Sequence, residues 1–282
     1  MKPMKRACAV STMARGEMHA AAITLAYDAS INLGKPAVID AIATTLDALG
    51  DPLDRLWIED ASARRLTCTV DRALALLSHQ MAFRYLWAAP VSERCNTRSK
   101  WLTAVMVDNI AVQSSILFFA LPRGSAEGFV PHVTLLKSLT QVGFIPQYGW
   151  AYTCQYDKPD YFAFDYAYNN RVQLIEHTDW RRLCVSNPDR GQRACGMILD
   201  VFPINVLSEI HLRQKLGDVS LKEWIQENTG PESLMQIAPG CFTWSVPAAH
   251  TAAVSARLAR SGLTIHGGAE TLRLVHNDIS SD

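Results

Sequence analysis

The chain has 282 residues, 49% of them hydrophobic and 19% charged, an ordinary globular composition that excludes an extensively disordered or fibrous protein. Lysine plus arginine equals aspartate plus glutamate at 27 each, so no overall basic field draws the chain to nucleic acid. No window supplies the roughly 18 consecutive apolar residues of a membrane-spanning helix, and seven scattered cysteines without a C-x-x-C pair suit free thiols in a reducing cytoplasm.

Residues 1–18 read as an N-terminal tail: Lys2, Lys5 and Arg6 precede a run too weakly apolar for a secretory leader. HAAAITLAYD, 19–28, has the period of two of a strand in Ile23, Leu25 and Tyr27. A helix follows, with Pro36 in its first turn, Val38, Ile39, Ile42 and Leu46 on its inner face, and Gly50 as its stop. DRLWIED and ARRLTCTV predict two short strands around a turn, and DRALALLSHQMAFRYLWA, 71–88, is apolar densely enough to predict a helix. The polar stretch 88–100 predicts a loop. WLTAVMV and AVQSSILFFAL predict strands separated by a turn at Asp108 and Asn109. FVPHVTLLKSLTQVGF predicts a helix from Pro131 to Gly143.

Between 144 and 168 the rings crowd together. Most of them read as core aromatics; Tyr156, Asp157, Asp160, Tyr161 and Asp165 form a candidate recognition surface of rigid rings and acids. DWRRL then suggests a short helix and SNPDRG a turn. In DVFPINVLSEIHL, 200–212, two acids, an asparagine and a histidine stand in an otherwise apolar run. Pro203 cannot donate to a sheet ladder, so DVF is expected to be a strand that ends there; Asn205 is placed to bond turn backbone and Ser208 to cap a helix with Glu209 in its first turn. Asp200, Pro203 and Asn205, with Trp224 and Trp244, therefore read as a structural brace. CFTWSV predicts a strand, and Pro247 opens a closing helix that stops at Gly262.

Strands and helices alternate without a repeated βαβ unit. The expected class is α+β, with mixed or antiparallel sheets and packed helices, and a layout of two similar-sized subdomains, 19–143 and 144–282, is compatible with strand–helix pairs at both ends.

Nothing in the chain spells a known reaction. Dinucleotide, Walker, zincin and hydrolase motifs are missing, and none of the eight histidines stands four residues from another, the spacing that would put two metal ligands on one helix face. No catalytic residue, metal ligand or cofactor is assigned. The best formal nucleophile is Cys154, with His132 or His177 as its base, which keeps a cysteine hydrolase as an alternative.

MILDVFPINVLSEIHL, then LKEWI, then a Gly/Pro turn, then CFTWSVP and a helix ending in LARSGL, resembles the C-terminal half of bacterial toxin immunity proteins, in particular the immunity protein 52 family of type VI secretion systems. The resemblance covers residues 195 to 265; the N-terminal half matches only in outline, through its opening strand and helix and YGWAY. It implies a cytoplasmic, non-catalytic protein that binds a cognate secreted toxin, a nuclease, and blocks its active site or its assembly. Such a partner presents a basic groove, for which acidic and aromatic residues are the natural counter-surface. The remaining alternative is a non-catalytic adaptor of a secretion system.

Overall fold

The computed structural model describes residues 19–28, 30–60, 62–79, 83–91, 104–109, 114–122, 128–155, 196–198 and 200–264. The expected tail, the polar loop beyond residue 91, DWRRL and SNPDRG lie outside them. The class is α+β. Ten strands form one sheet in which every strand pair is antiparallel.

In chain order the elements are β1 (His19–Asp28), α1 (Pro36–Ala48), β2 (Leu53–Asp60), β3 (Arg65–Thr69), α2 (Val70–Ser78), β4 (Phe83–Pro90), β5 (Ala104–Asn109) and β6 (Ser114–Pro122). There follow α3 (Val130–Gln141), β7 (Tyr148–Gln155), β8 (Ile204–Ser208), α4 (Glu209–Leu212), a small hairpin β9 (Lys215–Leu216) and β10 (Val219–Ser220), α5 (Leu221–Asn228), β11 (Leu234–Ala238), β12 (Cys241–Ser245) and α6 (Ala248–Arg260). The large sheet runs β11-β12-β8-β7-β1-β6-β5-β4-β2-β3. Strands from both sides of position 143 lie within it, and β1 pairs with β6 on one flank and β7 on the other.

The alternation of side chains along each strand divides the core into two layers. On one face Ile23, Leu25, Tyr27, Leu56, Ile58, Leu86, Leu117 and Phe119 pack against the inner residues of α1, α2 and α3. On the other, Tyr148, Trp150, Tyr152, Leu207, Phe242 and Trp244 pack against Leu212, Leu221, Trp224, Ile225 and Leu258 of α4, α5 and α6. These three β7 rings are core, as read from the sequence. Between them Gly149 is required by close approach: a Cβ there would stand 2.6 Å from the Thr24 carbonyl oxygen. The helix stops are also local, with Gly50 at φ 74°, Gly143 at 88° and Gly262 at 70°, angles that disfavour a side chain.

Three expectations need correction. The stretch 71–88 is not one helix: α2 ends at Ser78 and β4 begins at Phe83. The reason is that β4 is apolar toward both layers, with Leu86 and Ala88 on the α1–α3 side and Trp87 packed against the other cluster, so its apolar residues do not alternate with polar ones. Asp108 and Asn109 do not turn the chain; they pair with Ser115 and Ser114 and extend the ladder. Finally, DVF is not a strand, because β8 starts only after Pro203. Asn205 occupies the backbone N–H and C=O of Phe202 that a strand would have used.

Candidate functional site

The segment around Pro203 is tied on every side. Asn205, fully buried, accepts a bond from the Phe202 N–H at 3.0 Å and donates to the Phe202 carbonyl at 2.7 Å and to the Trp244 carbonyl at 3.3 Å. The Pro203 carbonyl accepts from the Val246 N–H at 2.9 Å. Asp200 accepts from the Val201 N–H at 2.7 Å and from the Ser255 hydroxyl, joining this segment to α6. Trp244 meets Trp224 edge-on at 6.5 Å and donates its indole N–H to Thr229 at 3.2 Å. Phe202 stacks on Trp150 at 5.9 Å. Every polar group named here has a protein partner, which is the chemistry of a packed joint between β8, β12, α5 and α6.

Ser208 and His211 form a pair that could pass for a nucleophile and its base, with the hydroxyl 2.8 Å from Nδ1. The same Nδ1 accepts the Ser208 backbone N–H at 3.1 Å, so the ring stands where glutamate stands in a capping box at the start of α4. His211 also stacks on Tyr148 at 5.1 Å, and burial pushes its pKa down to about 4. Its lone pair is occupied by its own helix end, so the pair has a capping role.

Of the residues that the hydrolase alternative invokes, His132 has a described side chain. His132 is buried between Phe119 and Phe129, donates Nε2–H to the Ala21 carbonyl at 2.9 Å, and is pushed down to about 4 by burial. Cys154 pairs in register with Ala20, while its side chain and His177 lie outside the described residues. Among the described residues no cluster of three or more His, Cys, Asp or Glu could hold a metal ion. The predicted recognition residues Tyr156, Asp157, Asp160, Tyr161 and Asp165 also lie outside the described residues.

What the sequence reading missed is a cluster on β2, β3 and β4. Cross-strand register places Thr67, Trp57 and Trp87 in one row, leading inward from the sheet edge. The Arg55 guanidinium lies 5.7 Å from the Trp57 ring centre and that of Arg65 lies 5.6 Å from Trp87. Each arginine also meets an acid: Arg65 Nε is 2.8 Å from Glu59, Arg55 Nε 3.1 Å from Asp54, and neighbouring Arg64 Nε 3.0 Å from Asp60. The burial within these pairs is unequal. The side chains of Arg64 and Arg65 are 80% and 71% exposed, those of Asp60 and Glu59 only 16% and 7%. Asp60 in addition accepts the Arg64 and Ser62 N–H groups, bonds that hold its carboxyl below the usual range and fix the β2–β3 turn. The charge offered to solvent is therefore guanidinium, from Arg64 beside the turn and from Arg65 over the Trp87 indole. The available signal was the alternation Arg55, Trp57, which the assignment of Trp87 to a helix concealed.

Known proteins add little beyond this geometry. No family model and no curated protein sequence matches the chain. Among solved structures, the Pseudomonas aeruginosa T6SS protein PA0821 is a distant neighbour, 14% identical at a TM-score of 0.49, with 88% of this chain and 77% of that one covered. No described helix is long and apolar enough to cross a membrane.

Proposed function

We propose that this chain is a cytoplasmic immunity protein that binds and neutralises a cognate secreted antibacterial toxin, a nuclease effector of a type VI or related polymorphic toxin system. The observation that carries partner binding is the paired Arg55–Trp57 and Arg65–Trp87 surface. Tryptophan and arginine dominate binding hot spots because each buries a large, stiff or pre-organised group on contact. The class of partner comes from the resemblance of residues 195 to 265 to immunity proteins. In this reading the chain inhibits by occlusion, without chemistry of its own, and Asp157, Asp160 and Asp165 would face the basic groove of the nuclease.

Co-expression tests this. The toxin encoded beside this gene should kill a host when expressed alone and become harmless when this protein is present, and the two should co-purify. If survival is unchanged and no complex is recovered, the immunity reading is wrong.

A further inference from the structure

Among the described residues the large sheet has two ends, and they differ. At β11 the ladder is interrupted by a register shift between Gln236 and Ala238, a device that blunts an edge. At β3 the ladder to β2 is regular over five pairs, from Arg65 opposite Glu59 to Thr69 opposite Arg55. The strand RLTCT contains no proline or glycine, and all of it but Cys68 is exposed. A regular, exposed, β-prone edge is a template for one more strand.

From this edge we infer that β3 receives an extended acidic segment of a protein partner, which adds to the sheet as an eleventh strand. The inference rests on reading the Arg–Trp surface as a partner-binding one. Three features select the occupant. The outward edge of β3 offers backbone donors and acceptors in strand geometry, which a peptide satisfies and a nucleic acid does not. The exposed charge along it is guanidinium, from Arg64 and Arg65, while their partners Asp60 and Glu59 are largely covered, so an incoming acidic chain meets the cations and a basic one gains no such contact. The row Thr67, Trp57, Trp87 begins at this edge, so side chains of an added strand would continue a row that already ends in two rings. An arginine at an edge also deters self-pairing; that role alone does not call for Arg65 to lie over the Trp87 indole, with Arg55 over Trp57 on the strand behind it.

The test uses the full chain and two short peptides of equal length, one alternating glutamate with valine and threonine, its twin carrying lysine for glutamate. By NMR, the acidic peptide at up to millimolar concentration should shift the indole N–H signals of Trp57 and Trp87 and slow exchange of β3 amides. The lysine twin should bind roughly tenfold or more weakly. The double variant Arg64→Glu/Arg65→Glu, checked for an unchanged thermal melt, should reverse that preference. The proposal is overturned if neither peptide protects β3 amides, if both bind alike, or if the double variant keeps the wild-type preference. It is equally overturned if a single-stranded oligothymidine moves the two indoles more than the acidic peptide does. A failed co-expression assay would sink the immunity reading while leaving the peptide result standing, and the reverse also holds.

Discussion

Asn205 shows how much a single side chain can hold together. Its amide, itself fully buried, satisfies Phe202 N–H, Phe202 C=O and Trp244 C=O. Replacing it by alanine would leave those backbone groups unpaired as well as empty the space, and the cost of a buried unsatisfied group is about 1–3 kcal/mol each. Asn205→Ala should therefore lower the urea midpoint by the equivalent of about 2–4 kcal/mol at an unchanged slope; a loss too small to measure would remove Asn205 from the joint. Part of this was legible in the sequence, since a polar residue beside Pro203 in an apolar run needs a backbone partner. The third bond was not, because Trp244 lies 39 positions away and only the β8–β12 register brings it alongside. The same holds for Arg65, whose partners Glu59 and Trp87 come from two other strands.

Helices α3 and α4 are each fastened by a buried histidine; the His211 cap needs an unprotonated Nδ1, whereas His132 donates Nε2–H in either state and is kept neutral by its burial. His132 ties α3 to the carbonyl of Ala21 in β1, and His211 caps α4 at Ser208. Burial holds both near a pKa of about 4, against about 6.5 for an unfolded histidine. For a base depressed by folding, the unfolded chain takes up the proton first. Its contribution is fully present above the unfolded value and is lost as pH falls from there through the folded one. Stability should accordingly decline from about pH 6.5 toward pH 4, by up to about 1.4 kcal/mol per pH unit for each ring. Urea midpoints measured across that window should fall, and His132→Leu should flatten the slope; a midpoint constant through the window would mean that neither ring is held neutral. The carboxyls of Asp28, Asp60 and Glu223, lowered chiefly by hydrogen bonds, act in the same direction at more acid pH. At this scale the sequence was a good guide where a proline or glycine punctuated it, as at Pro36, Gly50, Gly143 and Gly262. It misled at 71–88, where the boundary between α2 and β4 carries neither residue and periodicity cannot separate a strand buried on both faces from a helix.

For the molecule as a whole, the ten-stranded sheet is the decisive feature. Strands of residues 144–282 form one block, β11-β12-β8-β7, and strands of residues 19–143 the other, β1-β6-β5-β4-β2-β3, with no break in the ladder between them: β7 joins β1 through eight paired positions and joins β8 on its other edge. Unfolding one half would bare the hydrogen-bonding edge of the other, at β1 or β7, and break the core contacts the halves share, through Ala151, Val206 and Cys241 in one layer and Ala22 and Ala120 in the other. Urea unfolding followed by far-ultraviolet circular dichroism and by tryptophan fluorescence should therefore give coincident single transitions; two separated transitions would show that the halves fold as independent subdomains. The sequence by itself determined the α+β class, the helix stops, the first strand and the apolar residues that fill the core, because these follow from composition, periodicity and the φ preferences of proline and glycine, all of them local properties. Only the tertiary structure decided that ten of the twelve described strands would join one antiparallel sheet, that DVF would stay outside it, and that Arg55, Trp57, Arg65 and Trp87 would meet on its last three strands. Those outcomes depend on which strands pair and in what register, and register is set by contacts between residues far apart in the chain.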